Sequence, residues 1–132
     1  MKELPPEVLD EAKRWLQEAS EELAAAKALS IHFEIPGRII CLHAHLTVEK
    51  AIKALLIYQG ILVPRVHDLF DLQGRLTDNK VVTISDDDLE ILNPWSIRGR
   101  YPADLPDPTS KELDSTLKAA QTIFDEISSY IE

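Results

Sequence analysis

The segment from Arg38 to Gly60, RIICLHAHLTVEKAIKALLIYQG, constrains this chain more than any other. It reads as one helix of about six turns at 3.6 residues per turn. On a helical wheel Ile40, Ala44, Thr47, Val48, Ala51, Ile52 and Leu55 form a broad apolar arc of the kind a core-facing helix needs. The opposite arc mixes Ile39, Leu42, Leu46, Leu56 and Ile57 with His43, Glu49, Lys50 and Lys53. A helix apolar nearly all round is covered on more than one side. It therefore runs through the centre of a bundle, or faces its own core and a partner subunit. Ionisable groups on the second face are costly there unless paired. Glu49 and Lys53 stand at i,i+4 with the acid first, the favourable order for an ion pair, and His45 and Glu49 have the same spacing.

The rest of the chain is also patterned as helix. Pro5 and Pro6 suit a first turn. Val8, Leu9, Ala12, Trp15, Leu16, Ala19, Leu23 and Ala26 then predict a helix from about Pro6 to Leu29. Pro36-Gly37 breaks the pattern, and Gly60 is placed to end the second helix as a left-handed cap. A short helix is expected over about His67 to Leu76, with His67 as an N-terminal cap or an interhelix hydrogen-bonding group. Ser85 followed by Asp86, Asp87 and Asp88 predicts a capped, acid-rich start to another, carrying Leu89, Leu92 and Trp95 and limited by Pro94. Ser96 to Pro108 reads as a loop, and Thr109 with Glu112 as a capping box before the last helix. Val81 to Ile84 alone has strand-like composition, with nothing to pair with. The expectation is a single all-α domain over residues 1–132, an up-and-down bundle of four to five helices.

Composition narrows the function classes. A chain of 132 residues can bury roughly two thirds of its unfolded surface. With 14 Lys+Arg against 23 Asp+Glu the net charge is −9, so a general nucleic-acid or anionic-membrane coat is disfavoured, and nucleic-acid contact needs a local basic cluster. One cysteine, Cys41, excludes an intrachain disulfide and reads as a small core residue. The first residues lack an apolar signal core, and no uncharged run approaches the ~20 residues of a membrane span, so no membrane association and a cytoplasmic location are expected. His43 and His45 lie two apart and point to different sides of a helix, and paired Glu-x-x-His motifs are missing, so no metal site is expected. The acidic run at 86–88 lacks the alternation and turn glycine of a calcium loop. No phosphate-cradling glycine loop occurs, and no cofactor is expected.

One loop stands apart. Trp95, Arg98, Gly99, Arg100 and Tyr101 put two guanidiniums and two aromatics within seven residues of an acidic chain. Arginine forks suit phosphates and aromatic faces suit bases. Gly99 would let the backbone turn so that both arginines converge, and His67 and Lys53 from neighbouring helices would complete a pocket. The candidate ligand-binding set is thus Arg98, Arg100, Tyr101, His67 and Lys53. His43, His45, Glu49 and Lys53 are candidates for a buried or interfacial ion pair. The competing reading is that the arginines pin the loop to the bundle through carboxylates.

The ordered elements His43-Ala44, Glu49-Lys50-Ala51, Lys53-Ala54-Leu55-Leu56, Gly60, His67-Asp68-Leu69 and Arg100-Tyr101-Pro102 together resemble the HEPN domain of prokaryotes. The resemblance implies a helical bundle, usually dimeric, often encoded beside a minimal nucleotidyltransferase, and acting as an RNase, a toxin of a toxin–antitoxin pair, or a nucleotide- or RNA-binding module. The RNase members carry an Arg, four to six residues and a His late in the bundle. Here Arg98 and Arg100 have no histidine after them, and Arg38-x4-His43 fits the spacing only at the start of the second helix. Three functions stay open: a module binding nucleotide or RNA beside a nucleotidyltransferase, a metal-independent RNase toxin with a site composed across a homodimer, and a structural adaptor.

Overall fold

Residues 4–100 and 106–132 are described by a computed structural model of the chain. Pro5 keeps an extended backbone and Pro6 occupies the first turn of α1, Pro6–Leu29. Its buried residues Ala12, Leu16, Ala19, Leu23 and Ala26 step by four and three, forming one narrow stripe of alternating small and large side chains. The second helix, α2, spans Gly37–Tyr58. It ends as the pattern predicts: Gly60 has φ 79°, its N–H donates to the Ile57 carbonyl, and the Ile61 N–H donates to the Leu56 carbonyl. These are the two bonds of a Schellman cap.

Three short helices follow. α3 spans Leu69–Gly74, α4 Asp86–Leu92 and α5 the single turn Trp95–Arg98. The sequence pattern predicts two and leaves Ser96 onward as loop. Pro94 supplies the difference, since it ends α4 yet sits with helical φ and ψ as the N-cap of α5. The cap of α3 is Asp68 and not His67: the Asp68 carboxylate accepts from the backbone N–H groups of Phe70 and Asp71. Val81 to Ile84 is an unpaired segment with Val82 buried, and no strand occurs among the described residues. The last helix, α6, spans Ser110–Ile131 and opens with the Thr109–Glu112 capping box.

The chain is all-α, and α2 is its axis. Glu22 meets His43 and Lys53 lies over Trp15, so α1 runs antiparallel to α2. Tyr58 packs edge-on to Tyr130, and Gly37 lies against Pro108, so α6 runs parallel to α2. The short helices make the return path and cover the remaining side of α2. Every residue from Ala51 to Ile57 is buried within the one chain. Of the second apolar face, Leu56 and Ile57 are covered by the chain itself, while Ile39, Leu42 and Leu46 stay partly exposed. The large exposed apolar side chains lie elsewhere, notably Ile31 and Phe33 on the α1–α2 connection and Leu62 after α2. No helix among the described residues is long and apolar enough to cross a membrane.

Candidate functional site

Four residues of α2 and the following segment form a polar cluster inside this bundle. Lys53 Nζ donates to Glu49 Oε2 at 3.1 Å, and both side chains are at least nine-tenths buried. The ammonium also lies 5.8 Å from the centre of the Trp15 ring, a cation–π contact. The other carboxylate oxygen, Oε1, accepts from His67 Nδ1 at 3.0 Å. A carboxylate only accepts, so the proton of this bond belongs to Nδ1 and the tautomer is fixed. Glu49 keeps 5% of its side-chain surface exposed whereas His67 keeps 54%. The buried acid thus orients an exposed ring and leaves its Nε2 edge without a protein partner among the described residues.

His45 completes the cluster in a different protonation state. Its Nε2 faces the His67 carbonyl at 3.1 Å and therefore donates. Burial pushes its pKa down to about 4, and Arg100 and His67 add to that direction; the opposing pull of Glu49 and of the carbonyl does not restore it. His45 is accordingly neutral, with an unprotonated Nδ1 that has no hydrogen-bond partner. Its 3.7 Å approach to Glu49 Oε1 is a contact between lone pairs, not an ion pair.

The exposed edge of His67 opens into a cleft of about 500 Å³. Arg100, Asp68, Asn93 and Ser96 share its walls, and Pro94 and Ile97 supply an apolar side. Asn93 Oδ1 accepts from the Leu69 N–H at 2.9 Å, which ties α4 to the start of α3 and fixes the mouth of the cleft.

The two arginines do not converge. Arg98 turns to the opposite groove, about 290 Å³, between α4–α5 and the start of α6. There its guanidinium lies 4.0 Å over the Trp95 ring and donates to the Pro106 carbonyl at 2.9 Å. Gly99 has φ −83°, so it makes no left-handed turn. A Cβ on it would come within 2.6 Å of Leu42 Cβ and 2.7 Å of the Trp95 carbonyl, so Gly99 lets α5 press against α2. Of the sequence-selected ligand set, His67 and Arg100 share a cleft, Arg98 lines another, Lys53 is buried behind His67, and Tyr101 lies outside the described residues.

His43 belongs to a second network, on the α1 side. Its Nδ1 meets Glu22 Oε1 at 3.0 Å, and Lys50 Nζ lies 3.3 Å from Glu22 Oε2 and 3.8 Å from Glu18. No group of three metal-ligating side chains occurs among the described residues. Sequence reading passes over Asn93 and Ser96 and names Asp68 only within the His67-Asp68-Leu69 element, without a binding role. Asp68 and Asn93 could have been marked as capping residues, but nothing local brings them to one cleft with His67 and Arg100.

A bundle of three long helices with a bridging set of short ones, and a polar cluster centred on one helix, defines the class. The HEPN domain family model matches residues 12–130, and the chain belongs to the HEPN family. Among solved structures it is similar to TT1696 from Thermus thermophilus, at 24% sequence identity and a TM-score of 0.74, over 90% of this chain and 97% of that one. At that identity the likeness speaks for the fold. No curated protein matches the sequence.

Proposed function

We propose that this HEPN module binds a nucleotide or RNA phosphate in the His67–Arg100 cleft and acts with a nucleotidyltransferase partner, in a toxin–antitoxin or stress-type system. One observation carries the reading. His67 is held by a buried carboxylate and offers its free edge to the same cleft as Arg100. A guanidinium fork binds phosphate, the His67 ring joins it as a donor when Nε2 also carries a proton, and the apolar wall at Pro94 and Ile97 suits a base. Binding in an acidic chain needs such local placement, since the net charge of −9 repels polyanions at long range. Membership of the HEPN family is what supports the partner and the system type. A homodimer is proposed on the same ground, with exposed Ile31 and Phe33 as apolar surface available to it.

The test is titration of AMP and of a short RNA into the wild type, Arg100→Ala and His67→Ala. Loss of a charge-assisted hydrogen bond should weaken binding about tenfold or more in either variant. Arg100 is exposed, so Arg100→Ala should leave the melting temperature little changed, whereas His67→Ala takes a partner from the buried Glu49 carboxylate and should lower it, so its binding is read below its own melting transition. Wild-type-like binding by Arg100→Ala sinks the assignment.

A second reading, the metal-independent RNase, is favoured by the same His67–Glu49 bond, because an imidazole with its Nδ1 proton held by a carboxylate can take a proton at Nε2. Cleavage of RNA in EDTA by the wild type and not by His67→Ala would select it over simple binding.

A further inference from the structure

We infer that Asp68 makes this cleft selective for ribose over deoxyribose, by accepting a hydrogen bond from a ribose 2′-hydroxyl. The inference rests on the proposed nucleotide reading of the cleft and adds the sugar class. Asp68 is exposed and lines the cleft with His67 and Arg100. Its two carboxylate oxygens are used unequally. Oδ1 accepts from the Phe70 N–H at 2.9 Å, the Asp71 N–H at 3.3 Å and Asn93 Nδ2 at 3.4 Å. Oδ2 has no hydrogen-bond partner among the described residues.

Capping α3 needs only the first oxygen. Asn or Ser would cap as well as Asp and would not add negative charge to a chain that already carries −9. The second oxygen is an uncommitted acceptor on a residue that lines the same cleft as His67 and Arg100. A phosphate alone would be repelled by it, and a cationic ligand would be repelled by Arg100. A neutral donor attached to an anion satisfies all three, and a sugar phosphate is that ligand. The apolar surface of Pro94 and Ile97 favours one that also carries a base. Carboxylates accept from ribose 2′-hydroxyls in dinucleotide sites, and the 2′-hydroxyl is the group by which a protein distinguishes RNA from DNA.

The experiment is calorimetric titration of AMP and of 2′-deoxy-AMP into the full chain, wild type and Asp68→Asn, with melting curves of both proteins. One hydrogen bond to a charged acceptor predicts that the wild type binds AMP about tenfold tighter than the deoxynucleotide. Asn keeps an oxygen for the cap but replaces the free acceptor with a donor, so Asp68→Asn should bring the two affinities together at an unchanged melting temperature. Equal affinity of the wild type for both nucleotides overturns the inference and leaves the cleft reading standing. Failure of the wild type to bind either nucleotide overturns the cleft reading, and the inference with it. Should Asp68→Asn fold poorly, Asp68→Ser, which also keeps a cap oxygen, takes its place with the same expected loss of the ratio. A ratio that persists in a well-folded Asp68→Asn also overturns the role given to Asp68.

Discussion

Helix α2 takes part in two carboxylate–histidine bonds of the same length, 3.0 Å, in opposite settings. In the first, His43 of α2 meets Glu22 of α1, with 27% and 16% of the side chains exposed and Lys50 beside the acid. In the second, Glu49 of α2 is buried and meets an exposed histidine outside the helix, with Lys53 behind. The first joins two helices that an apolar stripe already holds together. The second transmits the rigidity of the core to a ring at the edge of a cleft. Bond length does not separate the two. Burial of the acid does, because a desolvated carboxylate must keep its partners, whereas a partly wet one can exchange them for water.

The largest expected effect sharpens that contrast. Lys53→Met keeps much of the side-chain volume and leaves Glu49 buried with His67 as its remaining hydrogen-bond donor. Breaking a buried pair in this way costs on the order of 3–5 kcal/mol. The double variant Glu49→Gln/Lys53→Met removes both charges and should recover most of that loss in a denaturant melt. Lys50→Met, on the wetter network, should cost under about 1 kcal/mol. If Lys53→Met and Lys50→Met melt alike, burial does not distinguish the two sites.

What was legible in the sequence divides along the same line. The Glu49–Lys53 pair, the Thr109–Glu112 box, the Ser85 cap and the Gly60 stop all join residues within a few positions, and helix geometry alone brings such residues together. The 3.6-residue period of α1, α2 and α6 fixes the all-α class for the same reason. The His67–Glu49 bond spans 18 positions and depends on the path of the segment after Gly60, which no periodicity encodes. Arg98 and Arg100 are two apart at the end of a single helical turn that sequence reading takes as loop, so their divergence was hidden. Gly99 is the sharpest case. Its residue type suggested a turn, but its use is close approach to Leu42, which only the packing of α5 on α2 reveals.

An intermediate effect comes from His45. Its folded pKa, about 4, lies below the ordinary histidine value of 6.5 because burial disfavours the charged ring. The unfolded chain therefore binds more protons between those two values, and stability rises with pH across that window. The contribution is fully present above pH 6.5, is lost as pH falls towards 4, and amounts to about 3 kcal/mol. Glu112, held below its usual range by the Thr109 N–H, adds a loss only as pH falls below its ordinary value of 4.5, at the acid end of that window. Urea melts of the wild type between pH 7 and 4.5 should show this decline, and His45→Gln, which retains a donor for the His67 carbonyl, should flatten it. An equal slope in the variant would mean that the buried cluster is not where the proton linkage resides.

The smallest effect belongs to the α1–α2 network and is the one most able to break the comparison. Glu22→Gln removes the charge facing His43 and Lys50 but leaves an amide oxygen within reach of both. The partners are partly exposed, and water can replace what the acid supplied, so the loss should stay under about 1 kcal/mol. Coulomb energy at such a site is screened by salt, with a Debye length of about 3 Å at 1 M. The difference between wild type and Glu22→Gln should therefore shrink further in 1 M NaCl, while the Lys53→Met loss should persist there because its partner is out of water. Melting both variants at 0.05 M and 1 M NaCl measures this directly. A Glu22→Gln loss as large and as salt-resistant as that of Lys53→Met would make the Glu22–His43 bond a structural equal of the Glu49–His67 bond. The special position given to His67 would then rest on its exposure to the cleft alone.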